Sequence, residues 1–102
     1  MQERDYIDRL IRQIAEFVAR IVGAARNGQP EEAERALDAA WRALGLRRQD
    51  VMRVDDATLR ALLGAKAQLG AELFDAEAAL EEARSNAPLA DELRTRAKSL
   101  RG

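Results

Sequence analysis

The residues best equipped for chemistry are three adjacent carboxylate pairs, Glu31-Glu32, Asp55-Asp56 and Glu81-Glu82, and an arginine cluster of Arg42, Arg47, Arg48 and Arg53. Two carboxylates can share general acid–base work when they converge on one substrate. Sequence neighbours on a helix point about 100° apart, so none of these pairs converges by spacing alone. The first two pairs stand at expected helix starts, where capping and the positive end of the helix dipole account for them. An enzymatic reading would need a deep polar cleft that buries two or more carboxylates brought together by the fold. The arginines surround the expected end of a helix, where cations complement the dipole; the same cluster could receive an acidic peptide or a phosphate.

Other chemistries are excluded by what the chain lacks. It contains no Cys and no His. Disulfides, thiolate nucleophiles, Cys/His zinc sites and Ser–His triads are therefore impossible. A carboxylate-bridged metal bundle would want Glu-x-x-His pairs and fails for the same reason. Gly64 and Gly70 do not make a phosphate-cradling loop, because no strand precedes them and no Gly-Lys-Ser/Thr follows. Ser85, Ser99, Thr58 and Thr95 have no base arranged by local spacing. No catalytic residue, cofactor or metal is expected, and the chain reads as a non-enzyme. With 17 basic against 18 acidic residues and a net charge of -1, it lacks the basic surplus that nucleic-acid binding wants.

These side chains must be positioned by helices. The chain of 102 residues is one domain's worth, 47% hydrophobic but only 4% aromatic, so Ala and Leu carry the apolar content. In the first segment, about residues 5–26, Ile7, Leu10, Ile11, Ile14, Phe17, Val18, Ile21, Val22 and Ala25 recur at helical spacing. Asn27-Gly28 stops it. Pro30, Glu31 and Glu32 open a second helix, about 30–44, with Ala33, Ala36, Leu37, Ala40, Trp41 and Leu44 inside. Gly45 ends it, and Leu46 is placed to pack back over the last turn.

The short loop predicts an antiparallel hairpin. Residues 47–54 read as a connector with a helical turn around Asp50–Met52. Asp55 or Asp56 caps a third helix to about residue 63; Gly64 either separates it from a helix at about 66–85 or sits inside one continuous helix, and the break is favoured because Lys66 would otherwise fall on the apolar stripe. Ser85-Asn86-Ala87-Pro88 interrupts again, and the last helix covers about 89–100. No stretch alternates as a strand would. The expected fold is all-α, a single domain over 1–102 built as an antiparallel array of four to five helices.

The hairpin from about residue 15 to 46 resembles a tetratricopeptide-type helix pair. Gly28, the Glu31-Glu32-Ala33 opening, Leu37, Ala40 and Leu44 carry the likeness. Its first helix departs from that pattern, with Ile14, Phe17, Val18 and Ile21 in place of the repeat's Trp, Leu-Gly and Tyr landmarks. The whole chain, opening with Glu-Arg-Asp-Tyr-Ile-Asp-Arg-Leu-Ile, resembles a group of short bacterial proteins of unknown function with such helices. The resemblance implies a tetratricopeptide-like hairpin and supplies no activity, since fold does not assign function.

Function is therefore expected to be contact: a protein–protein interaction module, or a structural homo-oligomer assembled through the first helix. That helix has more large apolar residues than one Ala- and Leu-lined partner needs to cover. It can be the central helix of its own bundle, pair with a second copy or a partner helix, or lie on a membrane surface through Arg9, Arg12, Arg20 and Arg26. Asp5, Asp8 and Glu16 oppose the membrane reading. The candidate interface is Ile7, Leu10, Ile14 and Phe17, with Arg47 and Arg48 as a polar rim. Trp41, at the margin of its helix's apolar face, either anchors a partner or covers the core. No apolar run is long enough to span a bilayer, and Met-Gln-Glu-Arg-Asp is not a signal peptide's start. A cytoplasmic location is expected.

Overall fold

A computed structural model describes the backbone of residues 2–102 and the side chains of residues 4–102. Helices α1 (Gln2–Arg26) and α2 (Pro30–Ala43) are followed by a short α3 (Arg48–Val51) and by α4 (Asp56–Leu63). A 3₁₀ turn (Gly64–Lys66) leads into α5 (Ala67–Ala83), and α6 (Ala87–Arg101) closes the described chain. Among the described residues there is no strand, so the fold is all-α, as the periodicity requires.

The helix ends follow from local chemistry. After α1, Gly28 takes φ +69° and the Gln29 N–H donates to the Ala24 carbonyl at 2.9 Å. Gly45 does the same after α2, with the Leu46 N–H on the Trp41 carbonyl at 3.1 Å and Leu46 half-buried over the turn. Asp55 caps α4 by accepting the Thr58 N–H at 2.7 Å, and side-chain and backbone hydrogen bonding to Thr58 holds its carboxyl below the ordinary value. Asn86 caps α6 through the Leu89 N–H. That cap starts α6 at Ala87, before the expected residue 89, because Pro88 is tolerated in a first turn where its missing N–H is not needed. Gly64 does break the chain, and α5 covers 67–83 rather than 66–85.

α1 and α2 form the expected hairpin, and α5 runs alongside both. Lys66 at the start of α5 donates to the Leu44 carbonyl at 2.9 Å, while Arg84 past its end meets Glu34 near the start of α2. α2 and α5 are therefore antiparallel. α6 returns along α5, with Arg94 on Glu82 and Arg101 on Asp75, and α4 packs on α6. The helix at the centre is thus α5, not α1. Its Leu69, Gly70, Ala71, Leu73, Phe74, Ala76, Ala78 and Leu80 are all buried, and the small ones among them, Gly70, Ala71, Ala76 and Ala78, let several helices approach at once.

Gly70 marks the closest approach. A Cβ there would stand 2.7 Å from Leu63 Cδ1 and 3.3 Å from both Leu100 Cδ1 and Trp41 Cη2. Trp41 and Phe74 meet with ring centroids 5.3 Å apart at 56°, a tilted arrangement that aromatic quadrupoles favour.

α1 is longer than anything beside it. Its 25 residues span ~37 Å, against ~21 Å for the 14 residues of α2. The protein accordingly measures 43 × 25 × 20 Å. The N-terminal turns of α1 form the projection.

Candidate functional site

The predicted stripe on α1 divides in two. Leu10 and Ile14 are buried in the core, Ile14 completely, so they are not available to a partner. Ile7 and Phe17 are half-buried, and the outer face of Phe17 is covered by the Arg20 guanidinium at 5.7 Å. The exposed apolar residues lie at the stripe's edges: Tyr6 is 48% exposed and Ile11 49%. Periodicity identifies the face; only packing shows which part of it stays uncovered.

Trp41 is removed from the candidate interface. It is 0% exposed, wedged between Phe74 and Gly70. The second helix meets α5 as well as α1, so the margin of its apolar face becomes its centre. Phe74 is equally buried.

The arginines also divide. Arg47 is exposed and, among the described residues, pairs only with Asp50 at 3.3 Å, as a rim residue does. Arg48 is a structural hub instead of a free rim cation. Its Nη2 donates to Glu77 Oε2 at 2.9 Å, and its Nη1 faces Glu34 and, at 3.3 Å, Asp38. Arg84 completes the cluster on Glu34 at 2.7 Å and Glu81 at 3.2 Å. Burial pushes the Glu77 carboxyl above its ordinary value, and Arg48 offsets only part of this. Burial also acts to raise Glu34, but hydrogen bonds from Arg84 and Arg48 outweigh it and bring that carboxyl below its ordinary value. Arg48 itself is raised, because Glu77 and Glu34 overcome its desolvation.

An open cleft of about 400 Å³ lies beside this hub, lined by Asp38, Arg42, Arg47, Arg48, Gln49, Met52 and Glu77. Glu77 and Glu81 are the two buried carboxylates, yet only Glu77 reaches the cleft. Glu77 is held by Arg48 and Glu81 by Arg84, so the two do not converge on one open site. Among the described residues no group of three or more acidic side chains is arranged to hold a metal ion.

Two residues escaped the sequence reading. Glu77 falls one turn after Leu73, on the buried stripe of α5, and a lone charge on such a stripe signals a buried ion pair. Arg96 stands in the C-terminal half of α6, where the helix dipole alone would account for a cation. In the structure its Nε donates to Asp56 at 2.6 Å, Nη1 to the Val51 carbonyl at 3.2 Å and Nη2 to the Val54 carbonyl at 2.8 Å. The same guanidinium lies 4.7 Å from the Phe74 ring centroid. It ties the connector to the core.

Comparisons with protein-family models, with curated proteins and with solved structures return no match. No helix among the described residues is long and apolar enough to cross a membrane.

Proposed function

We propose that this chain is a non-enzymatic protein–protein interaction module whose contact surface is the exposed flank of the N-terminal half of α1. The observation that carries the reading is the exposure of Tyr6 and Ile11 on a helix whose inner face is otherwise buried. Large apolar side chains left exposed at the edges of a buried stripe, with charged neighbours, are what a helix-in-groove contact can use. Arg47, exposed beside the cleft, would contribute to a polar rim. The same proposal takes the α1–α2 hairpin as a tetratricopeptide-like scaffold and places the protein in the bacterial cytoplasm.

The test is an affinity capture from native extract with wild type and with Ile11→Glu. Ile11 lies at the edge of the core, so the variant is expected to melt within about 1 kcal/mol of wild type, as surface substitutions do. Loss of a specific captured protein from a folded variant supports the reading. An identical capture profile for both proteins sinks it.

A further inference from the structure

Every ion pair among the described residues joins side chains of α2 through α6 or their connectors. Among the described residues, the charged side chains on the N-terminal half of α1, namely Arg4, Asp5, Asp8, Arg9, Arg12 and Glu16, form none. Their order is plus, minus, minus, plus, plus, minus. Reversing the helix about Leu10 sets Arg4 level with Glu16 and Asp8 level with Arg12. No like charges fall level in that register. A parallel pairing would instead set each charge against itself.

Asp8 and Arg12 lie one turn apart on the same flank of the helix, next to the exposed Ile11. In an antiparallel pair, equivalent flanks face one another across the two-fold axis, so Asp8 of each copy comes within reach of Arg12 of the other. Ile7 and Ile11 supply the apolar contact between them. A two-fold contact must be self-complementary, and this segment is.

We propose that the exposed flank of the N-terminal half of α1, residues 4–16, pairs antiparallel with the same flank of a second copy of this chain, with the two-fold axis level with Leu10. This rests on the interaction-module reading and names its partner. A few helical turns give an interface at the small end of specific ones, so the dimer is concentration-dependent. Its ion pairs are exposed and weaken with salt.

The test is sedimentation equilibrium over a concentration series, with circular dichroism as the check on folding. Wild type is expected to dimerise as concentration rises. Ile11→Glu should remain folded and weaken the dimer by about tenfold or more, the effect of a central interface residue. Asp8→Arg and Arg12→Asp alone should each weaken it, and the double exchange should restore it, because the pairs are then swapped rather than lost. A wild type that stays monomeric throughout overturns the proposal, as does a dimer that Ile11→Glu leaves untouched. A double exchange no tighter than the single ones overturns the register. If wild type is monomeric while Ile11→Glu still abolishes capture of a different protein, self-pairing falls and the interaction module stands.

Discussion

The guanidinium of Arg48 sits 2.9 Å from Glu77 Oε2, joining a four-residue helix to a carboxylate that is only 3% exposed. The sequence places these residues on separate elements with no motif between them. Their pairing anchors α3 against α5, and through Glu34 it also engages α2.

Removing Arg48 should therefore cost far more than removing an exposed arginine. Arg48→Ala leaves Glu77 buried without its cation, and the expected loss is about 3–5 kcal/mol at neutral pH. Glu77, raised by burial, costs stability once the unfolded chain ionises, and that cost is relieved as pH falls through its raised value. Glu34, lowered, contributes stability above its ordinary value and loses it as pH falls through the lowered one. Both effects narrow the gap between variant and wild type as pH drops from about 7 toward 4. Urea unfolding at several pH values checks this; a gap that widens in acid would count against the burial assigned to Glu77. Arg48→Met combined with Glu77→Leu should recover most of the loss.

Gly70 and Gly23 should respond to a side chain in opposite ways. Gly70→Val drives its new atoms into Leu63, Leu100 and Trp41, and overpacking of this kind costs about 1–3 kcal/mol. Gly23, with nothing within 4 Å of its Cβ position, should gain about 0.5–1 kcal/mol as alanine in a helix. Thermal melts of both variants read the contrast. Trp41, buried in the wild type, should emit to the blue there without any partner and move to the red in Gly70→Val.

Arg96 distinguishes geometry from charge. Arg96→Ala gives up a charge-assisted bond to Asp56, two bonds to connector carbonyls and the contact with Phe74, for about 2–4 kcal/mol. A lysine keeps the charge but lacks the planar fork that serves three acceptors at once. Arg96→Lys should recover less than half of the loss in denaturant unfolding. Hydrogen exchange should rise along residues 51–54 in both variants. Full recovery by lysine would reduce Arg96 to a point charge.

Ile14→Glu and Ile11→Glu, three residues apart, should separate core from surface. Ile14 is 0% exposed and Ile11 49%. A carboxylate at residue 14 must be buried or break the packing, and a loss of several kcal/mol from a total of roughly 5–15 leaves little folded protein. Circular dichroism of the two variants at 25 °C reads this directly. Equal stability would mean that α1 does not seat where the structure puts it.

How far the sequence reaches is clearest at particular residues. Gly28 and Gly45 announce their breaks, and the Asp55-Asp56 pair its cap, because turn and cap chemistry is local. The inner faces of α1 and α2 follow from spacing for the same reason. Trp41, Arg48 and Arg96 could not be placed, since each owes its role to a partner more than 20 residues away: Gly70, Glu77 and Asp56. Periodicity reports that a face is buried but not which helix buries it. That is why α5, rich in small residues and buried around most of its circumference, was not recognised as the centre.

Leu100, which lies against Gly70 beside Trp41, gives the order of synthesis a physical consequence. The ribosome delivers α1 and α2 first, and their hairpin can close early because its contacts are near in sequence. The wall around Trp41 is completed only when residue 100 has left the exit tunnel. Until then the nascent chain carries a wet tryptophan and an unpaired apolar helix, the surface that holding chaperones bind. Closure around Trp41 therefore waits for α6, the helix that carries Leu100.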